Sequence, residues 1–291
     1  MAEPSGPVRV RDWLAAAEAR LAPLIGREEA GRDARLLLAE ASGLSAAGLL
    51  AAEREPLAPG VQTRADAFLE RRAAREPTAQ ILGAWPFWDR SFAVTRDVLT
   101  PRPDTETLVE AALSEPFARL ADLGTGSGIL AVTLLAERPG ATGLATDISQ
   151  AALDVAARNA AAHGVAGRLT LSRGDWWEAV PEPARFDLIV SNPPYVTAGA
   201  YATLAPEITG FEPPGALTPG GDGLAAYRKI LARACDHLAP GGRLIVEIGA
   251  DQAAAVSGLF SAAGLEDLRI LPDLAGHDRV VLSHQSAGGQ R

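Results

Sequence analysis

"LADLGTGSGILAVTLLA", residues 120–136, decides the fold: an apolar strand runs directly into a glycine turn and then a helix. Gly124, Gly126 and Gly128 permit positive φ and let a ligand approach the backbone closely, with Thr125 and Ser127 between them. The spacing is G-x-G-x-G, not the G-x-G-x-x-G of the dinucleotide fingerprint. Asp122 stands just before the turn. A pyrophosphate at that helix start would be repelled by a carboxylate, whereas a ligand bearing an amino group or a sulfonium cation would be attracted.

From Arg119 onward, strands and helices alternate. Strands are predicted at 119–123, 142–147, 168–173, 186–191 and 242–248, with helices at 128–138, 149–163, 222–238 and near 250–263. That rhythm predicts a parallel sheet covered on both faces. Two late strands, 266–271 and 279–284, are joined by "PDLAGHD", too short for a helical crossover, so they should pair antiparallel. Asp147 ends the second strand 21 residues after Gly126, where a carboxylate can hold ribose hydroxyls, although alone it reads equally well as a helix cap. Asp175 follows the third strand in "RGDWW". A carboxylate there can meet an adenine amino group, and the indole of Trp176 or Trp177 can flank the ring, although either tryptophan alone would read as core. Three successive strand ends thus converge at the carboxyl edge, where open α/β sheets bind ligands. The stretch resembles the class I S-adenosylmethionine-dependent methyltransferases. That resemblance implies an α/β, Rossmann-like sheet of seven strands with an antiparallel last strand. It also implies S-adenosyl-L-methionine as cofactor and S-adenosyl-L-homocysteine as product.

"VSNPPYV", residues 190–196, closes the fourth strand. Two prolines stop any ladder there because neither donates an N–H. An amide nitrogen or exocyclic amine is a poor nucleophile, its lone pair being delocalised. Acceptors that take both of its N–H groups favour rehybridisation toward a usable lone pair. Asn192 offers a side-chain carbonyl, and the Pro193 carbonyl faces no N–H on Pro194. Proline stiffness keeps these acceptors organised, and Tyr195 offers a flat face for a planar guest. The competing reading is a rigid turn in which Asn192 caps its own backbone.

Residues 8–76 are alanine-rich and helical in pattern: Trp13, Leu14, Ala17, Leu21, Leu24 and Ile25 share one face. A second apolar run covers Asp33 to Ala41, Ser45 can cap a short third helix, and Val61, Ala65, Phe68 and Leu69 mark a fourth. From Gln80 to Thr95, "QILGAWPFWDRSFAVT" suggests a hairpin with an Asp-Arg break, and "LTPRPDTETLVEAAL" then starts a helix with an acidic first turn. The NPPY stretch alone suits amino-methyltransferases generally, including adenine methylases of DNA and glutamine methylases of proteins. The hairpin and the "RPDTE" loop, with "DARLLLAEASGLS" (33–45), "FEPPGALTPGGDGLAAYRKI" (211–230) and "GGRLIVEIGADQ" (241–252), are similar to the release factor glutamine methyltransferases, the PrmC/HemK family. Asp104 stands where that pattern usually has Glu, which keeps the charge.

The resemblance implies methyl transfer to the side-chain amide of the glutamine in the GGQ motif of peptide chain release factors. A ribosomal-protein glutamine would call for the same site chemistry. By position, cofactor contacts fall on Gly124 to Gly128, Asp147, Trp176 and Asn192, and substrate contacts on Asn192, Pro193, Pro194 and Tyr195, with Asn192, Pro193 and Tyr195 catalytic. Asp122 and Asp175 join the cofactor set from the charge arguments above. The expected organisation is a helical substrate-recognition domain over 1–76, a hairpin linker over 77–100, the methyltransferase domain over 101–285 and a flexible tail over 286–291.

The 291 residues carry a net charge of −9, which argues against a broad nucleic-acid-binding face. Neither a metal nor a thiol is called for: the single cysteine, Cys235, forms no internal disulfide, and all four histidines read as structural or surface. With no apolar run of signal-peptide or membrane-spanning character, a cytoplasmic monomer is expected. The tail holds Gly288-Gly289-Gln290, read as coincidence in a Gly- and Gln-rich end.

Overall fold

The structure, a computed structural model, describes residues 7–285. The expected tail, with its Gly-Gly-Gln, lies outside the described residues. The described chain divides into two units, one of residues up to Gly83 together with Pro206–Phe211, the other of Ala84–Ala205 and everything from Glu212. That division falls after Gly83 rather than Glu76, because Thr78–Leu82 forms a short helix ended by left-handed Gly83 (φ 73°), and this helix packs with the N-terminal helices.

The first unit is helical: Val10–Ile25, Arg27–Ser42, Ala46–Ala51 and Pro59–Ala73 precede that short helix. Trp13, Ala17, Leu21, Leu37, Leu38, Leu49, Ala65 and Leu69 interleave in one apolar core. Ser45 caps the third helix as its sequence suggested, accepting from the Gly48 N–H at 3.1 Å. A charged cluster not anticipated from the sequence sits against this core. The fully buried Arg72 donates to Asp33 at 2.7 Å, Glu29 at 3.2 Å and Glu207 at 3.3 Å, so one guanidinium serves three carboxylates. Arg75 adds a second donor to Glu207 at 2.6 Å, and Gln80 donates to the Phe211 carbonyl at 3.0 Å. These bonds are why Pro206–Phe211 belongs with the helices.

The second unit opens with a two-stranded hairpin, β1 (Ala84–Phe87) and β2 (Arg90–Ala93). Its turn is Trp88-Asp89, both left-handed at φ 49° and 54°, one residue earlier than the Asp-Arg break suggested. The main sheet comprises β3 (Arg119–Leu123), β4 (Thr142–Asp147), β5 (Leu169–Arg173), β6 (Phe186–Ser191), β7 (Leu238–Glu247), β8 (Glu266–Pro272) and β9 (Asp278–His284). The strand order is β5-β4-β3-β6-β7-β9-β8. All pairs are parallel except those of β9, which runs antiparallel to both β7 and β8. The seven-stranded, Rossmann-like sheet with a reversed last strand is therefore present.

Leu120, Leu188, Val190 and Ile245 point into one buried layer, and Ala121, Leu123, Ile189 and Val246 into the other, as strands buried on both faces require. Helices Ile129–Glu137 and Gln150–Ala162 match expectation. The single helix expected at 222–238 is two, Ala225–Leu231 and Ala234–His237, broken at Arg233 (φ −134°).

Arg72→Met should unfold the chain at lower urea concentration. It removes the hydrogen-bonding partner of the buried Asp33 carboxylate and leaves it only the exposed Arg32 at 3.5 Å, a loss of about 3–5 kcal/mol. Urea titration by far-UV circular dichroism measures it, and Arg72→Met combined with Asp33→Leu should regain part of the loss.

Candidate active site

Strand order reverses between β3 and β6, so the connections leaving their carboxyl ends diverge and open a crevice. The Ser191 hydroxyl, at the end of β6, donates to the Leu123 carbonyl at 2.6 Å and ties the two strand ends together. The glycine turn and the Asn192 loop therefore face one another across a cavity of about 500 Å³, within the range of small-ligand sites. Gly124, Thr125, Gly126, Ser127, Asp147, Asp175, Trp176, Asn192 and Pro194 all line it.

Each glycine of the turn is left-handed, for different reasons. A Cβ on Gly124 would meet the Trp176 ring at 3.3 Å, whereas one on Gly126 would meet nothing within 4 Å, leaving that backbone open to a guest. Gly128 does not line the cavity. Its missing Cβ makes room for Ala156, whose own Cβ would lie 3.1 Å away, so this glycine serves helix packing and not the ligand approach expected of it. Trp176 is itself left-handed (φ 51°), a costly state for a bulky residue, and this turns its ring onto Gly124. Trp177 goes the other way into the core, where it stacks on His237 at 4.5 Å and donates to the Ile230 carbonyl at 2.8 Å.

Asp147 accepts from the Gly126 N–H at 2.9 Å through one oxygen and from the Ser149 N–H at 2.9 Å through the other. Capping of the following helix is left to Ser149. A carboxylate has about four lone-pair positions, so Asp147 keeps acceptor capacity toward the cavity. Burial raises its pKa despite these donors. Asp175 pairs with Lys229, and both reach the cavity.

Asp122 is corrected by the structure. It is buried behind the turn and absent from the cavity wall, one oxygen accepting from the Thr125 hydroxyl at 2.6 Å and from the Ala131 N–H at 3.2 Å. These bonds brace the turn from below, away from the wall a cationic guest would meet, and burial pushes the carboxyl up to about 7.

In the Asn-Pro-Pro-Tyr loop, the Asn192 amide nitrogen donates to the Thr105 hydroxyl at 3.2 Å. The asparagine therefore is not turned onto its own backbone. Pro193 is buried and its side chain does not line the cavity, unlike those of Asn192 and Pro194, and no donor among the described residues reaches its carbonyl. Tyr195 departs from the flat face expected of it. Its ring packs against the core, outside the cavity wall, and its hydroxyl donates to Glu247 at 3.2 Å. Burial raises its pKa. The Gln252 amide holds the Tyr195 carbonyl at 3.0 Å, and Val196 bonds to Leu217 at 2.9 Å, so the loop is braced along its length.

Several participants escaped the sequence reading. Glu247 ends β7 fully buried, and a carboxylate closing the apolar run "RLIVE" was the available signal. Thr105 was hidden inside "RPDTE". Asn159 bonds both Ala93 backbone groups (2.7 and 3.2 Å) and the Ser127 carbonyl (2.8 Å), fastening the hairpin to the glycine turn. Among the described residues, no group of carboxylates, histidines and cysteine is arranged to hold a metal.

Gly128→Ala should cost about 1–3 kcal/mol more than Gly126→Ala. Both impose a left-handed alanine, and only the former also crowds Ala156. Thermal denaturation of the two variants makes the comparison.

Comparison with known proteins agrees with this geometry. The Methyltransferase small domain family matches residues 103–222, and the PrmC N-terminal domain family matches residues 12–83. A protein named release factor glutamine methyltransferase from Cereibacter sphaeroides is 58% identical over 274 residues, covering 94% of this chain and 98% of that protein. One of the same name from Rhodospirillum rubrum is 46% identical, covering 91% of this chain and 82% of that protein. A methyltransferase structure from Pyrococcus furiosus shares the fold at a TM-score of 0.53 and 17% identity, covering 77% of this chain and 99% of that one. The chain belongs to the release factor glutamine methyltransferase family.

Proposed function

We propose that this protein transfers a methyl group from S-adenosyl-L-methionine to the side-chain amide nitrogen of the glutamine in the GGQ motif of peptide chain release factors. The observation that carries the reading is Asn192, whose amide nitrogen is committed to Thr105 while its side chain lines the cavity opposite the open Gly126. Such an asparagine presents a carbonyl, the group needed to accept from a substrate carboxamide.

The cavity chemistry fits the methyl donor. Asp147, held by two backbone donors, keeps lone pairs for ribose hydroxyls. Trp176 offers an aromatic face, Asp175 an acceptor for an exocyclic amine, and the Gly124–Ser127 backbone the close approach. When bound, S-adenosyl-L-methionine supplies a methyl carbon on a positively charged sulfur and leaves as S-adenosyl-L-homocysteine.

The protein's own task is to make the amide nitrogen reactive. Asn192 Oδ1 and the Pro193 carbonyl each accept one N–H of the glutamine amide, which orients its lone pair and opposes delocalisation into the carbonyl. As the new carbon–nitrogen bond forms in place of the sulfur–carbon bond, one proton leaves the nitrogen for solvent water. Because the prolines and the Tyr195 and Val196 anchors hold the loop beforehand, little reorganisation is required at the moment of reaction. Pro194 lines the cavity beside Asn192 and closes the substrate side.

The helical unit is assigned to recognition of the release factor away from the GGQ loop. Direct nucleic-acid binding is not part of this reading, since the chain carries a net charge of −9. No helix among the described residues is long and apolar enough to cross a membrane. A monomer acting in the cytoplasm, where release factors work, completes the proposal.

Mass spectrometry of a purified release factor incubated with this protein and the donor should show one added methyl on the GGQ glutamine; an unmodified glutamine overturns the assignment. Asn192→Ala should lower kcat about 10²–10³-fold, the loss typical of removing one preorganised hydrogen-bonding group. Calorimetry should find donor affinity within a few-fold of the native protein, and a parallel collapse of both would place Asn192 in cofactor binding alone.

A further inference from the structure

Glu247 reaches both ends of the Asn-Pro-Pro-Tyr loop. Its Oε2 accepts from the Thr105 hydroxyl at 2.6 Å, and its Oε1 accepts from the Tyr195 hydroxyl at 3.2 Å. Thr105 is wholly buried, and its oxygen in turn accepts from Asn192 Nδ2 at 3.2 Å. A hydroxyl has one proton to give. With that proton spent on the carboxylate, Thr105 can only accept from Asn192. The amide must then turn its NH₂ to Thr105 and its carbonyl to the cavity. The orientation of an asparagine amide follows from such a network, and here the network ends on a group whose polarity is set by ionisation.

We propose that Glu247 and Thr105 are positioning residues forming a polarised relay that sets which face of the Asn192 amide the substrate meets. With the carboxylate ionised, the chain of donors runs from Asn192 to Thr105 to Glu247, and Asn192 shows its carbonyl. With the carboxyl protonated on Oε2, Glu247 donates to Thr105, Thr105 donates to Asn192, and the amide turns over to show its NH₂. A glutamine amide, which also brings N–H groups, then meets a donor where it needs an acceptor. This inference rests on the reading that Asn192 accepts from the substrate.

The surroundings leave the relay free to titrate in the working range. Burial is the main cause that pushes the Glu247 carboxyl up to about 7; the Thr105 hydrogen bond and Arg279 pull it down in part. The groups facing it are Thr105 and Asp104 from the turn before helix Glu106–Leu113, Tyr195 from the loop, and Tyr227, whose hydroxyl donates to the Glu247 main-chain carbonyl at 2.9 Å. From β9 comes Arg279, engaged by Asp273 at 3.1 Å and Asp104 at 3.3 Å. Only hydroxyls, and no cation, bond the carboxylate directly.

Steady-state methylation of a purified release factor between pH 6 and 9 tests the relay. In the native protein kcat should rise with pH through about 7, because the ionised carboxylate gives the productive amide. Thr105→Val keeps shape and removes the relay, so kcat should fall ~10- to 100-fold with the KM for the methyl donor unchanged, and the rise with pH should vanish. Thr105→Ser should restore both rate and pH limb. Glu247→Gln should flatten the same limb, and adding it to Thr105→Val should cost nothing further. Native rate and pH profile in Thr105→Val, a limb that persists in Glu247→Gln, or losses that multiply in the double variant would each overturn the relay. Should Thr105→Val fold poorly, the pair of Thr105→Ser and Glu247→Gln still decides it. An inactive Asn192→Ala beside a native-like Thr105→Val rejects the relay alone, whereas an active Asn192→Ala rejects the substrate clamp beneath it.

Discussion

The side-by-side placement of β3 and β6 is the constraint on which the rest depends. These strands are separated in sequence by two complete strand–helix passages, yet they are hydrogen-bonded neighbours, and Ser191 locks their ends together. Because β4 and β5 extend the sheet on one side and β7, β9 and β8 on the other, the chain leaves β3 and β6 in opposite directions. A glycine-rich backbone on one lip and a proline-stiffened backbone on the other are the two materials suited to the gap this opens. One admits a guest to within contact of the main chain, and the other holds acceptors still.

Around this gap, polar groups that would be liabilities elsewhere are shared between structure and chemistry. Asp147 stitches the turn to β4 and keeps lone pairs outward. Asp122 and Glu247 are buried carboxylates held by hydroxyls and a backbone N–H, not by cations, and burial has raised both toward neutrality. Their cost is the desolvation of charge. What they supply is rigidity under the two lips of the cavity, where a shift of a fraction of an ångström would misalign the reacting atoms.

Much of this was legible beforehand because the signals were local. Strand–turn–helix succession gave β3 to β6 within a residue or so, and the short connection between the late strands gave the reversal of β9. The residues read differently from their placement are those whose roles depend on neighbours distant in sequence. Gly128 and Gly124 look alike in the motif, but only the helix carrying Ala156 makes the former a packing residue. Trp176 and Trp177 are adjacent, and the left-handed backbone of the first sends one ring to the cavity and the other to His237. Tyr195 was assigned a face, but a carboxylate 52 residues downstream claimed its hydroxyl. Thr105 and Glu247 lie 142 residues apart, and no spacing rule connects them.

The helical unit is a different kind of object from the cassette that residues up to 83 suggest. The chain returns to it at Pro206–Phe211, after the substrate loop has been laid down, and contributes Glu207 as a counter-charge to Arg72 and Arg75. The unit is therefore discontinuous, and the polypeptide passes between the two units three times. A fragment cut at the first passage would carry its buried arginine without one of its three carboxylates. During synthesis, too, the amino-terminal helices emerge long before the hexapeptide that completes them. Grafting this unit onto another enzyme would need that hexapeptide as well, a splice that no linear boundary prediction would include.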